Sequence, residues 1–211
     1  YNSIAWAYMS DKGYQPDIVP GDMDILRVGK PDIIAFNYYA SMTVQKDLEH
    51  RPDDSGKADQ QSGFVEPGVF RGTINKYLGK TEYRWGIDPV GFRITLESMY
   101  SRYNLPLLVT ENGMGAKDTL TSNNTVEDGY RIKYLKDHIE QASVAVANGV
   151  NLIGYCPWSA LDLVSTHQGF EKRYGFIYVD RDDLELKDLK RIPKQSFYWY
   201  KKLINSNGDV L

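Results

Sequence analysis

Two groups of residues in this sequence have the types and spacing to do chemistry, and one of them centres on a carboxylate. Glu111 stands in Leu107-Leu-Val-Thr-Glu-Asn-Gly113, where an apolar run meets Asn-Gly, a strong turn signal. βα barrels keep their catalytic groups at the ends of buried strands, so an acidic side chain is well placed there. The bland alternative, a polar turn without chemistry, fits the same residues. The second group is Asn37 and Tyr39, which end the run Asp32-Ile-Ile-Ala-Phe-Asn-Tyr-Tyr39. Two apart on a strand, they project to one face while Tyr38 points to the other. A further run ends in Tyr155-Cys-Pro-Trp158-Ser. All three runs finish in polar or aromatic residues and begin plainly, the one-sided rim that a site requires.

The elements that must carry these residues alternate. The run after Pro31 is nearly continuous in apolar residues, which fits a strand buried on both faces, as in a parallel sheet. Asp88-Pro89 supplies an N-cap and a first-turn proline, and Phe92, Leu96, Met99, Tyr100 and Tyr103 then line one helix face. Leu105–Thr110 reads as the next strand. A helix follows with Leu135, Ile139, Ala142 and Val146 on one face, stopped by Asn148-Gly149. Val150–Tyr155 reads as a third buried strand, Tyr174–Val179 as an additional one, and Pro193–Ile204 as a final helix. Asp47–Gly63 and Lys117–Glu127 read as polar, exposed loops. Strand, helix, strand, helix, strand is the mark of parallel βα units. They could form a small open sheet or part of an eight-stranded barrel, and the pattern does not separate the two.

Composition narrows the partners. With 211 residues, 42% hydrophobic and 25% charged, the chain is ordinary globular material. A net charge of −3 gives no electrostatic reason to expect nucleic acid or an anionic membrane as partner. No apolar run approaches the roughly 20 residues of a membrane span. The lone Cys156 is compatible with a reducing cytoplasm, and His50, His138 and His167 lack zinc-ligand spacing. Sixteen tyrosines and 4 tryptophans suit sugar rings, or simply make an aromatic core and surface.

Phe-Asn37-Tyr-Tyr39, Thr-Glu111-Asn-Gly113 and Gly154-Tyr-x-x-Trp158-Ser, in this order and at these intervals, resemble strands six to eight of family 1 glycoside hydrolases. Trp85-Gly-Ile-Asp-Pro89-x-Gly91 and Ser196-Phe-Tyr-Trp-Tyr200 extend the likeness over essentially the whole chain. The resemblance implies an α/β fold, the C-terminal portion (strands 6 to 8) of a (β/α)8 TIM barrel. It also implies retaining, double-displacement chemistry without a cofactor. Glu111 then matches the nucleophile and Tyr39 the tyrosine that holds its carboxylate. Asn37 matches the asparagine beside it, and Trp158 the platform under the sugar.

The segment after Asp162 sets the expected substrate class. Family 1 β-glucosidases carry Asn-Phe-Glu-Trp there, whose glutamate binds sugar hydroxyls; this chain has Leu163-Val164-Ser165-Thr166. A carboxylate at that place would face a 6-phosphate of about −1.5 to −2 charge. Each unit of like charge at ~4 Å costs about 4 kcal/mol at an effective dielectric of ~20. Ser165 removes that repulsion and adds a donor. Ser165-x6-Lys172-x-Tyr174 resembles the phosphate signature of the 6-phospho-β-glycosidases. In an extended segment Lys172 and Tyr174 share a face and Arg173 points away. The plain reading of Lys172-Arg173 is a solvated surface pair. Phospho-β-galactosidases typically carry tryptophan directly after the serine; Thr166 here favours phosphoglucosides over 6-phospho-β-galactosides.

The family's acid/base motif, Asn-Glu-Pro, does not occur in this sequence, and Val65-Glu66-Pro67 does not match it. The chain is therefore expected to be one C-terminal segment, residues 1–211, of a single barrel domain, about the last three-eighths by strand count. Its expected partners are a phosphorylated β-glucoside and the missing N-terminal part of the same barrel. Homo-oligomerisation is left open. The other reading, from a different class, is a non-catalytic sugar-phosphate-binding or structural fragment.

Overall fold

The computed structural model describes residues 2–47 and 64–211. The chain divides into two compact units, Tyr1–Asp32 and Ile33–Leu211. The first unit holds α1 (Ser3–Lys12) and α2 (Asp22–Val28). Asn2 caps α1 by accepting from the Ala5 amide at 2.8 Å, and Gly13 ends it in the left-handed region at φ 68°. Neither helix buries a residue, and Ile4, Ile25, Leu26 and Val28 are exposed.

The second unit opens with β1 (Ile34–Asn37), β2 (Thr43–Lys46), β3 (Val65–Glu66) and β4 (Phe70–Thr73). Next come β5 (Gly79–Lys80), β6 (Gly86–Ile87), α3 (Pro89–Tyr103), β7 (Leu107–Asn112) and α4 (Gly129–Ala147). It closes with β8 (Leu152–Pro157), β9 (Ile177–Val179), β10 (Arg191–Pro193) and α5 (Gln195–Asn205). The central sheet has the order β1-β7-β8, both pairings parallel, as alternating strand and helix signals require. β2, β4 and β3 form an antiparallel sheet, β5 and β6 a short hairpin, and β9 and β10 an antiparallel pair.

Helix α3 begins where expected. Asp88 accepts from the Gly91 amide at 2.8 Å, Pro89 occupies the first turn, and Asn104 closes the helix at φ 51°. Its Phe92 and Leu96 join Leu107 and Val109 of β7 and Ala142 and Ala145 of α4 in one core. Tyr38 enters the same core, with its ring 5.0 Å from that of Phe92.

Helices cover only one face of this sheet, which corrects the expectation of strands buried on both sides. Ile34 and Phe36 pack against the helix layer, whereas Ala35 and Asn37 are exposed, as are Ile153 and Cys156 of β8. Three strands with α3 and α4 on one side leave the other side bare among the described residues. Helix α5 starts after Pro193, which pairs in β10 instead of opening the helix.

The loop expected over Asp47–Gly63 lies outside the described residues, save Asp47, which is buried and accepts from the Gly68 amide at 2.9 Å. The second loop, Lys117–Glu127, is not simply exposed: Asp118 and Val126 are buried. Asp118 pairs with Arg131 at 3.1 Å and with Lys194, and Asp128 pairs with Arg131 at 2.5 Å. Asp162 binds Lys194 at 2.6 Å and Arg173 at 2.9 Å. Three carboxylates and three cations thus balance inside the protein, which is the condition for burying charge at all. Burial pushes the Asp118 carboxyl up, but Arg131 and Lys194 outweigh it and hold the group below its ordinary range.

Candidate active site

The parallel sheet brings the two groups of chemistry-bearing residues together. Asn37 and Glu111 are register partners across β1 and β7. The Tyr39 hydroxyl donates to Glu111 Oε2 at 2.6 Å, and Thr110 Oγ1 donates to Asn37 Oδ1 at 2.5 Å. Tyr38 turns into the helix layer, where its hydroxyl donates to the Asp88 carbonyl at 2.9 Å. The alternation of residues 37, 38 and 39 is thus the one that strand period implies. The Asn37 side chain is thus held by Thr110, while its backbone lies in register with Glu111.

Tyr39 is built to stay a donor. Burial, then the hydrogen bond and charge of Glu111, push its phenol well above the ordinary tyrosine range. A protonated phenol 2.6 Å from one carboxylate oxygen fixes the carboxylate's orientation.

Asn112, the residue after Glu111, is fully buried and ties down the strand end. Its amide donates to the Tyr38 carbonyl at 2.7 Å and to the Tyr134 hydroxyl at 3.2 Å, and its Oδ1 accepts from the Tyr155 hydroxyl at 2.5 Å. Tyr134 donates in turn to the Tyr39 carbonyl at 3.0 Å. One asparagine therefore links the residue after β1 with β7, β8 and α4. In the sequence it reads only as half of a turn signal.

Trp158 reaches the site through its backbone. Its amide donates to the Asn112 carbonyl at 2.8 Å, and a Cβ on Gly113 would lie 2.1 Å from the Trp158 carbonyl oxygen. Gly113 is thus required by close backbone approach, since its φ lies outside the left-handed region.

The residues read as a phosphate cradle also converge. Ser165, Lys172 and Tyr174 are all buried, with Lys172 only 1% exposed. Burial raises the Tyr174 phenol and its hydrogen bond with Ser165 opposes that rise. Ser165 Oγ also lies 3.3 Å from Gln168 Oε1. Lys172 Nζ sits 5.5 Å from the centre of the Tyr174 ring. The solvated-pair reading of Lys172-Arg173 is overturned: Arg173 is 5% exposed and points away from Lys172 into the ionic cluster. The Arg173 backbone pairs with Ala116 in both directions, at 3.0 and 2.9 Å, and its carbonyl also accepts from Arg131 at 3.0 Å.

Lys172 has no carboxylate partner among the described residues. Its ammonium rests instead on ring faces, 4.0 Å from the centre of Trp85 and 4.6 Å from Tyr83. Desolvation drops its pKa to about 8. Trp85 also meets the Tyr39 ring edge-on at 5.5 Å, so one indole touches both the phenol that holds Glu111 and the lysine. The site is therefore a carboxylate held by a phenol, next to a buried cation that has no anionic partner among the described residues. The hairpin β5–β6 that carries Tyr83 and Trp85 gave no functional signal beyond the family motif around Trp85.

A family model described as Glycosyl hydrolase family 1 matches residues 1–209. The aryl-phospho-beta-D-glucosidase BglC of Bacillus subtilis (strain 168) is 44% identical over 218 residues, covering 100% of this chain and 45% of its own length. The 6-phospho-beta-glucosidase AscB of Escherichia coli (strain K12) is 43% identical over 212 residues, covering 100% of this chain and 42% of its own. Among solved structures, a beta-glucosidase from Thermotoga maritima in complex with castanospermine superposes with a TM-score of 0.80 at 31% identity. That likeness covers 99% of this chain and 41% of the other. The chain thus spans less than half the length of the relatives it matches, and its parallel strands are the C-terminal portion of a (β/α)8 barrel. From the first helix to the last, it belongs to glycosyl hydrolase family 1.

Proposed function

We propose that this chain supplies the nucleophile and the sugar-phosphate site of a retaining glycosidase that hydrolyses 6-phospho-β-glucosides. The observation that carries the reading is the buried Lys172, without a carboxylate partner among the described residues, beside Ser165 and Tyr174 and next to the Tyr39–Glu111 pair. A cation without an anion in a protein interior is costly, and a substrate phosphate would supply the missing charge. The relatives BglC and AscB bear names that state action on phosphorylated glucosides.

In this mechanism Glu111 attacks the anomeric carbon and the glycosidic C–O bond breaks. An acid contributed from outside this chain protonates the departing oxygen. Tyr39 occupies Oε2, leaving Oε1 as the attacking atom. Water then opens the glycosyl ester, the second carboxyl takes its proton, and glucose 6-phosphate leaves. Retention places that second carboxyl about 5–5.5 Å from Glu111. It belongs to the N-terminal part of the same barrel, of which residues 1–211 form one segment. Such chemistry needs no metal, and a phosphorylated substrate together with the lone Cys156 fits a cytoplasmic setting.

The test compares a chromogenic 6-phospho-β-glucoside with its unphosphorylated counterpart, using the intact enzyme that contains this chain. A preference of at least about 100-fold in kcat/KM is expected, from two or more charge-assisted contacts of ~1.5–3 kcal/mol each. Equal rates would remove the phosphate reading. Replacing Ser165→Glu should harm the phosphorylated substrate far more than the plain one.

A further inference from the structure

Glycine 115 is buried in the segment that follows the nucleophile strand, and its backbone does not require a glycine. Its φ lies outside the left-handed range, so an alanine fits the local conformation. What forbids a side chain there is the stem of Lys172. A Cβ on Gly115 would lie 2.5 Å from Lys172 Cγ, 2.6 Å from Cε and 3.0 Å from Cδ. Carbon atoms in good contact stand about 3.5–4.0 Å apart. The lysine stem therefore runs across the bare α-carbon of Gly115 for most of its length.

The stem has little room to move aside. Its ammonium sits over Trp85 at 4.0 Å and Tyr83 at 4.6 Å. The next residue, Arg173, is fixed by its pairing with Ala116 and its ion pair with Asp162. One methyl group at residue 115 would push the ammonium away from Ser165 and Tyr174.

We propose that Gly115 is a positioning residue for specificity: its missing side chain forms the channel that delivers the Lys172 ammonium to the substrate's phosphate. This rests on the phosphate reading above and adds a determinant on the strand-end segment of the nucleophile, away from the Ser165–Tyr174 stretch. The chain thereby ties the identity of the sugar's 6-substituent to a residue four places after Glu111.

The test is Gly115→Ala in the intact enzyme, assayed on a phosphorylated and an unphosphorylated aryl β-glucoside. The expected result is a loss of about 10–100-fold in kcat/KM for the phosphorylated substrate, mostly in KM, as a misplacement of ~1 Å can produce. The unphosphorylated substrate should change by less than about threefold, an allowance for incidental packing. In a Lys172→Ala background the same alanine should add no further loss on either substrate, because the obstructing stem is gone. If Gly115→Ala fails to fold, adding Lys172→Ala should restore folding. Equal losses on both substrates, no loss on the phosphorylated one, additive losses in the double variant, or no rescue of folding would each overturn the proposal. A wild-type enzyme that already turns over both substrates equally fails the phosphate reading itself, which separates that outcome from failure at Gly115.

Discussion

Residue by residue, function here rests on how each charge is answered. Glu111 is answered by a phenol that stays protonated, so Tyr39→Phe removes one hydrogen bond to a carboxylate. Such bonds contribute about 1.5–3 kcal/mol, so kcat/KM should fall by about 10–150-fold. The fall should be equal for phosphorylated and plain glucosides, because in the proposed mechanism the tyrosine acts at the anomeric centre. Unequal losses would place Tyr39 elsewhere. Among the described residues, Lys172 is answered by aromatic faces alone. With its pKa lowered to about 8, it is charged below that pH and neutral above it. The pH profile of kcat/KM reports the free enzyme, so activity on the phosphorylated substrate should decline above about pH 8 while the plain substrate follows no such step. The folded value lies below the ordinary value of 10.5, so the unfolded chain binds this proton more tightly. The resulting burden on stability is fully present below about pH 8 and disappears as pH rises through 10.5. Lys172→Met should therefore raise the unfolding temperature at pH 7, by about 2–4 °C per kcal/mol relieved, while abolishing phosphate preference. A drop in stability would contradict the unpaired-cation account.

At the scale of elements, the parts that hold the site were legible to different degrees. α3 was readable because its cap, its proline and its apolar period all sit within one contiguous stretch. The alternation at Asn37, Tyr38 and Tyr39 was readable for the same reason, since strand period needs no long-range information. The ionic cluster was not. Asp118 lies in a run that looks like a polar loop, and its partners Arg131 and Lys194 come from α4 and from the entry to α5. Nor was the role of Asn112, whose partners Tyr38, Tyr134 and Tyr155 come from the segment after β1, from α4 and from β8. His138 in α4 is a similar case. Its ring stacks on Tyr134 at 4.1 Å, and burial lowers its pKa to about 4, against a smaller opposing pull from the Tyr134 carbonyl. The folded state therefore binds this proton less readily than the unfolded chain, so stability is lost as pH falls from 6.5 towards 4. His138→Phe should flatten the unfolding temperature across that window; an unchanged slope would assign the pH dependence to other groups.

For the whole molecule, the sheet β1-β7-β8 carries helices on one face, and its other face carries Asn37 and Ala35 in the open. A barrel would cover that face and bring the second carboxyl opposite Glu111. The purified 211-residue chain alone should accordingly show no turnover of a 6-phospho-β-glucoside; turnover that disappears in Glu111→Gln would contradict the division of labour proposed here. The proposed mechanism requires Glu111 to form a covalent bond to a phosphorylated sugar. The direct measurement treats the intact enzyme with a 2-deoxy-2-fluoro-β-glucosyl 6-phosphate bearing a good leaving group, and maps the labelled peptide by mass spectrometry. The glycosyl mass should appear on Glu111 and be absent with the unphosphorylated analogue at the same concentration. Label on another carboxylate, or labelling of Glu111 that ignores the phosphate, would contradict it.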